Sequence, residues 1–251
     1  YMNLAVIGVG GIGSFLLARR TLQPIEEAHA AQSRFTADAS HELRTPLAVM
    51  KSEIQVALRS KHVKSGDYKE LLESNLEEVD KLTQLSHSLL QLSRLEYGNI
   101  ERGERVDIGV AATEAAESLK LPKDRLSFDL PQPPIVIDGN RAMIADLLRI
   151  LLDNAFKYSP AGTPIRLTLT SNGRTCRLTV SNQGQGIRKK DLPHIFDRFY
   201  RVEASRSSIQ VPGYGLGLSL AKKIAVLHEG QVSVSSEPGK MTTFTVTLPR
   251  I

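Results

Sequence analysis

The chain of 251 residues is 41% hydrophobic and 24% charged, an ordinary globular composition for one or two domains. Its single cysteine, Cys176, excludes an internal disulfide framework and fits a reducing compartment; alternation with Leu178 and Val180 marks it as a buried apolar side chain. The net charge of +5 comes from dispersed basic residues without tryptophan, which argues against a nucleic-acid partner and for juxtamembrane arginines plus a polyanion site, and the six histidines show no close-spaced metal-ligand pattern.

The first segment, LAVIGVGGIGSFLLARR at residues 4–20, holds Gly8, Gly10 and Gly13 in the order GxGxxG. A dinucleotide-binding turn requires a second parallel strand, with an acidic residue about 20 positions on. Glu26 and Glu27 stand near that distance, but Arg19, Arg20, Pro24 and a long polar helical pattern follow, so no βαβ unit closes. Residues 2–18 are instead uncharged and run straight into Arg19-Arg20. At about 1.5 Å per residue they reach about 25 Å, the short end of a membrane-spanning helix. Residues 1–18 are read as the end of such a helix, with the arginines placing residues 19–251 in the cytoplasm. A start at Tyr1 rather than Met reads as a fragment with its upstream part missing.

Residues 19–33 read as a juxtamembrane helical linker. Phe35, Ala39, Leu43, Leu47, Met50, Ile54 and Leu58 then recur at helical spacing up to residue 59, followed by a polar break, SKHVKSGD, at 60–67. Leu72, Leu76, Val79, Leu82, Leu85, Leu89 and Leu92 repeat the pattern. Residues 34–97 are therefore expected to form an antiparallel helical hairpin. Neither stripe is fully covered by one partner, so a homodimeric four-helix bundle completes it. The periodicity ends around Gly98–Gly103, and residues 98–106 read as a linker.

From 107 to 251 the pattern becomes mixed α/β. Residues 141–158 read as a helix with Ile144, Leu147, Leu148, Leu151 and Ala155 on one face. Strand alternation follows in PIRLTLT, CRLTV, VSVSS and FTVTL, and Asn172-Gly173 between two alternating runs predicts a hairpin. A layered sheet with helices on one side is the expected architecture.

Within the first long helix, SHELRTP at residues 40–46 places His41 roughly 160° from the apolar seam, with Thr45 on the same outer face. An exposed helical histidine is by itself an ordinary surface residue. Glu42 beside it offers a hydrogen bond to one ring nitrogen, which would leave the other nucleophilic. Pro46 lacks an amide donor and crowds the Glu42 carbonyl, so a bend is expected there, at a cost of about 3 kcal/mol. In LLDNAFKYSP, Asn154 and Lys157 share a helix flank, either as a solvated edge or as an amide for Mg²⁺ and a cation for phosphate. SNQGQGI at 181–187 ends a strand with Gly184 and Gly186, and GYGLGLSLAKKI at 213–224 is a glycine-rich loop entering a helix, a ready anion site. Residues 188–212, between the two glycine clusters, read as a mobile lid.

The ordered set SHELRTP, LLDNAFKYSP, SNQGQGI, HIFDRFYR, GYGLGL and TTFTVTLP strongly resembles a bacterial two-component sensor histidine kinase, from about residue 19 to the end. The resemblance implies a dimerisation and phosphotransfer hairpin followed by a Bergerat-type α/β two-layer sandwich that binds ATP and Mg²⁺, an architecture shared with gyrase, the Hsp90 chaperones and the MutL repair proteins. It also implies a response regulator receiver domain as partner and a place at the bacterial cell membrane. By resemblance His41 accepts the γ-phosphoryl group, Glu42 assists as base, and Thr45 positions water for dephosphorylation of the partner. Asn154 holds Mg²⁺; Lys157 and Arg198 or Arg201 meet phosphates; Tyr158 and Ile187 line the adenine pocket. Gly213, Gly215 and Gly217 let the lid close, and Phe196 and Phe199 match the aromatic pair of the lid region. Gly184, Gly186, Leu216, Leu218 and Thr243, within the same motifs, complete the cofactor-binding set.

Three positions depart from the family pattern. Asn182 stands where an aspartate usually accepts the adenine amino proton, a loss of charge assistance expected to cost about 1 kcal/mol of affinity. Ile150 replaces a second asparagine one turn before Asn154, leaving Mg²⁺ more dependent on water and phosphate oxygens. Met241 replaces a glycine before TTF, a local change. The first two departures motivate an alternative reading, a nucleotide-binding scaffold or phosphatase with weak kinase activity. A repair or topoisomerase ATPase would share the nucleotide fold but gives no reason for the His-Glu-Thr-Pro helix.

Overall fold

The computed structural model describes the backbone of residues 2–59, 65–97, 103–202 and 213–251, with side chains from Arg20 onward except at residues 24, 25, 27, 28, 65, 67, 96 and 97. The side chains of the expected membrane segment, residues 60–64 of the expected polar break, residues 98–102 of the expected linker and the basic, serine-rich sequence at 203–212 lie outside the described residues. Among the described residues no helix is long and apolar enough to cross a membrane. The chain divides into two compact units, residues 1–83 and 84–251.

The first unit is built from helix α1 (Met2–Arg59) and the start of α2 (Ser65–Tyr97). α1 is one helix from the expected membrane segment through Pro24 and Pro46, and α2 begins inside the expected polar break, taking in residues 65–67. The two helices are tied by Glu53, which accepts hydrogen bonds from Ser74 Oγ at 3.1 Å and Asn75 Nδ2 at 3.3 Å. The seam is only partly covered: Leu47, Ile54 and Leu58 on α1 and Leu72, Leu76 and Val79 on α2 remain exposed in the single chain.

The second unit holds a five-stranded sheet. Strand β1 (Glu104–Asp107) pairs antiparallel with β3 (Val136–Gly139) in a separate two-stranded ladder. Asp107 caps helix α3 (Ile108–Ser118), its carboxylate accepting from the Gly109 and Val110 amides, as the donors left free in a first turn require. Asn140 caps α4 (Arg141–Lys157) through the Met143 amide at 3.1 Å. The sheet order is β2 (Leu126–Asp129), β4 (Ile165–Ser171), β5 (Thr175–Gln183), β7 (Met241–Pro249), β6 (Gln231–Glu237). Only β2 and β4 run parallel; the neighbouring pairs beyond them are antiparallel.

Register aligns the apolar rows. Leu167, Val180 and Phe244 lie side by side across β4, β5 and β7, followed by Leu169, Leu178 and Val246. All six are buried, packed beneath Leu147, Leu148 and Leu151 of α4 and Leu220, Ile224 and Ala225 of α5 (Gly217–Leu227). The β4–β5 turn is closed by Asn172, whose side-chain oxygen accepts from the amides of Arg174 and Thr175, with Gly173 at φ 92°. His228 fastens the end of α5: Nδ1–H donates to the Ile224 carbonyl at 2.8 Å, and Nε2 accepts from the Asn140 amide at 3.0 Å.

Moving one step along the same sheet face, the next row is Ile165, Asn182 and Thr242. Two polar side chains thus end an otherwise apolar face, with Asn182 at 4% exposure and Thr242 also buried. That is where the cavity lies.

Candidate functional site: a histidine helix and a nucleotide-type cavity

On α1, His41 and Thr45 are exposed and Glu42 is half-buried. The Thr45 hydroxyl donates to the His41 carbonyl at 3.3 Å, and Pro46, one residue on, is buried. The expected hydrogen bond between Glu42 and His41 is absent among the described residues, because adjacent side chains on a helix point about 100° apart.

In the second unit a cavity of about 420 Å³ opens between α4, the two glycine clusters and the polar end of the sheet. Asn182, Thr242 and Phe244 supply its sheet side. The Asn182 amide nitrogen donates to the Gln183 carbonyl at 3.1 Å, which orients the amide and presents its oxygen as an acceptor. Thr242 is held by Ser236 at 2.7 Å, and Ser236 Oγ accepts the Ile187 amide at 2.9 Å, so the first glycine cluster is fastened to β6 and β7.

The α4 flank brings Asn154, Lys157, Tyr158 and Ile150 to the cavity. Lys157 pairs with Asp153 at 2.6 Å, both side chains more than a third exposed, so the pair contributes little stability. Gly186, with φ 72°, approaches the sheet so closely that a Cβ would lie 2.7 Å from Pro238 Cα. Gly213, Gly215, Gly217 and Leu218 form the remaining side. Gly215, at φ 70°, sits against the backbone of residues 199–200, where a Cβ would meet the Tyr200 carbonyl at 2.6 Å. α5 starts at Gly217 without a side-chain cap, leaving its first amides available to an anion.

Not every expected residue reaches the cavity. Gly184 bonds through its amide to the Lys240 carbonyl at 3.4 Å. Phe196 packs edge-on against Phe244, 6.4 Å between centroids, with Lys222 Nζ 5.9 Å from its ring. Arg198 and Phe199 are half-buried outside the lining, Phe199 at φ 60°. Leu216 is buried, its carbonyl accepting from Ser219 Oγ at 2.8 Å. Thr243 alternates to the opposite sheet face, where its hydroxyl meets Ser181 Oγ at 2.9 Å. Arg201, by contrast, does line the cavity.

The segment expected to be a lid is, over residues 188–200, a run of four i to i−3 hydrogen-bonded turns, Arg188–Asp191–His194–Asp197–Tyr200. Its centre is Asp191, at 4% exposure, which accepts from Arg188 Nε at 2.6 Å and Tyr200 OH at 2.8 Å. The Arg188 hydrogen bond foremost, with help from Tyr200, holds the Asp191 carboxyl below the usual carboxylate range despite its burial. The Asp191 carboxylate is therefore ionised throughout the neutral range. Arg188, Tyr200, Thr242, Phe244 and Asp153 all line the cavity although the motifs do not single them out. Strand alternation from the partner of Asn182 points to Thr242 and Phe244, and i,i+4 spacing from Lys157 points to Asp153.

For a metal, the cavity offers the amide oxygen of Asn154 beside the Asp153 carboxylate, and among the described residues no group of three His, Cys, Asp or Glu converges. Hard oxygen donors in small number fit Mg²⁺, which retains water and phosphate ligands.

A helical hairpin bearing an exposed histidine, followed by a sheet-and-helix unit with a glycine-rimmed cavity, defines a phospho-acceptor domain joined to an ATPase domain. Residues 31–98 match the His Kinase A (phospho-acceptor) domain, and residues 139–251 match the histidine kinase-, DNA gyrase B- and HSP90-like ATPase. The signal transduction histidine-protein kinase ArlS of Staphylococcus epidermidis is 36% identical over 228 residues, 90% of this chain and 50% of that protein. Sensor histidine kinase RppB of Synechocystis is 35% identical over 248 residues, 97% of this chain and 54% of that protein. Among solved structures, Acinetobacter baumannii histidine kinase AdeS superposes with a TM-score of 0.63 at 25% identity, over 83% of this chain and 97% of that one. The chain belongs to the sensor histidine kinases of two-component signal transduction. It spans about half the length of the relatives ArlS and RppB.

Proposed function

We propose that this chain autophosphorylates His41 from Mg-ATP and passes the phosphoryl group to an aspartate of a response regulator receiver domain. The observation that carries this reading is the convergence of Asn154, Lys157, Asn182, Gly186, Gly215 and Gly217, from three separate stretches of the chain, around one cavity in a chain whose phospho-acceptor domain exposes His41. Phosphoryl transfer asks the protein chiefly for alignment and charge compensation. Lys157, Arg201 and the uncapped start of α5 supply cationic and amide contacts for the triphosphate. Mg²⁺, held by Asn154 and its own waters, would neutralise phosphate charge. Asn182 accepts from the base, with Tyr158 and Ile187 beside it.

In the transfer, a His41 ring nitrogen forms a bond to the γ-phosphorus as the bond to the ADP oxygen breaks, and Glu42 takes up the ring proton. The second transfer breaks that N–P bond and forms an aspartyl phosphate on the receiver domain. The exposed leucines of the hairpin support a homodimer, and the uncharged residues 2–18 followed by Arg19-Arg20 support attachment to a bacterial membrane with residues 19–251 cytoplasmic. Domain limits of 19–33, 34–97, 98–106 and 107–251 follow from the same reading.

Incubation with γ-labelled ATP is expected to give acid-labile, alkali-stable label that vanishes in His41→Gln; label persisting in that variant overturns the assignment. Two observations favour a second reading, in which nucleotide binding chiefly serves a phosphatase: the neutral Asn182 and the apolar Ile150 at the cavity. Tight ATP binding without phosphohistidine, together with Thr45-dependent dephosphorylation of the receiver domain, would select it.

A further inference from the structure

Asp191 does not line the cavity, yet both side chains it binds do. Arg188 follows directly on the first glycine cluster, and Tyr200 closes the run of turns twelve residues later. The backbone of Tyr200 is also the surface against which Gly215 of the second cluster is seated, too close for a Cβ. One carboxylate thus stands at the junction of three stretches of the cavity wall. Its main chain is engaged as well: the Asp191 amide donates to the Arg188 carbonyl at 2.9 Å, and its carbonyl accepts from the His194 amide at 2.9 Å.

Burial distinguishes this interaction from the ion pairs on the surface. The Lys69–Glu73 and Lys240–Glu237 pairs have both partners well exposed, whereas the Asp191 side chain is 5% exposed and shared by two donors. A buried carboxylate is costly unless its lone pairs are filled, so an acid placed here imposes a fixed arrangement of its donors. A leucine or alanine at the same position would fill space without setting where Arg188 and Tyr200 stand.

We propose that Asp191 is a positioning residue for the nucleotide cavity: its buried carboxylate holds Arg188 and Tyr200 in place, and through Tyr200 the seat of Gly215, so that affinity for Mg-ATP depends on a side chain that does not touch it. This rests on the nucleotide-binding reading above and adds a determinant that the glycine motifs do not contain. The nucleotide meets Arg188 and Tyr200 side chains whose orientation is set before it arrives, which lowers the ordering cost of binding.

The test is calorimetric titration of the whole chain with ATP and Mg²⁺, comparing Asp191→Ala, Tyr200→Phe and Arg188→Gln with the unmodified protein. Each single change is expected to raise Kd about three- to tenfold with the number of sites per chain unchanged. Tyr200→Phe added to Asp191→Ala is expected to weaken binding by less than about twofold more, because the interaction it removes is already gone. In Asp191→Ala, whose substituted side chain does not line the cavity, the rate of His41 labelling at saturating ATP should stay within about twofold, separating KM from kcat. If Asp191→Ala does not fold, the two variants that each remove one arm carry the comparison. Unchanged Kd in the folded variants overturns the proposal, and so does a fall in the number of competent sites at constant Kd, the mark of a merely structural role. An unmodified chain that takes up no Mg-ATP overturns the nucleotide reading and this inference with it.

Discussion

The two units of this chain treat apolar surface in opposite ways. In the α/β unit Leu148, Leu167, Val180 and Val246 are fully sealed, at 0% exposure. In the hairpin Leu58, Leu72 and Leu76 stand 81%, 68% and 60% exposed. One unit completes its core within a single chain, and the other leaves leucines exposed, as the proposed homodimer requires. The same division runs through the proposed chemistry: Asn182 lines a cavity, while His41 stands on an exposed helix face that a phosphoryl donor and a receiver domain would both need to reach.

The largest expected effect breaks the sealed unit alone. Leu148→Ala should destabilise residues 84–251 by about 2–5 kcal/mol through lost burial and the cavity left behind, with the helicity of α1 retained. Circular dichroism melts should show one transition moving and another staying. Cys176 gives an independent readout, since burial pushes its thiol pKa up and keeps it unreactive toward iodoacetamide in the folded unit; labelling should accelerate in Leu148→Ala. A concerted shift of both transitions would show that the units do not melt separately.

The converse change acts on the open seam. Leu72→Glu with Leu76→Glu places charge where leucines await a partner, and each leucine buried in a dimer contributes about 1.5–3 kcal/mol. Sedimentation equilibrium should show the dimer dissociation constant rising at least about a hundredfold, with the melt of the α/β unit unaltered. Gly215→Ala comes next. It adds a Cβ at φ 70° against the Tyr200 carbonyl, a backbone cost of about 1–2 kcal/mol, and should weaken Mg-ATP binding roughly tenfold while leaving the dimer intact.

Legibility in the sequence followed the strength of local periodicity. The helix carrying Ile144, Leu147, Leu148 and Leu151 and the strands around Leu167, Leu178 and Val246 announce themselves because large apolar residues repeat at 3.6 or 2.0. α3 does not, since its buried face is Ala111, Ala112, Ala115 and Ala116, too small to mark an amphipathic stripe. The β1–β3 ladder escapes notice because its strands have four residues each and pair across about 30 positions, a non-local fact. At the site, glycine clusters and the Asn154 flank are visible because unusual backbone or side-chain needs restrict the residue types. The Arg188–Asp191–Tyr200 cluster is invisible for the opposite reason: only folding brings ordinary polar residues three and nine apart into one buried contact, and the segment reads as a lid although it is a chain of turns.

The smallest effect concerns the residue that departs from the family pattern. Asn182 is a neutral acceptor fixed by its own donation to the Gln183 carbonyl. In Asn182→Asp the side chain can no longer donate, so an oxygen faces that carbonyl, and a buried carboxylate without a cation raises the energy of the empty unit. A bound base with an amino donor relieves part of that cost and makes a charge-assisted bond in place of a neutral one. The two consequences point in opposite directions: the melting temperature without nucleotide falls, while Mg-ATP affinity rises by about 1 kcal/mol, roughly fivefold. The same variant should discriminate more strongly against a nucleotide that presents a carbonyl in place of the amino group. Equal affinity for ATP in the two forms, with the expected fall in stability, would show that the sheet end of the cavity does not read the base through this side chain, and would leave Ile187, Tyr158 and the α4 flank as the groups that select it.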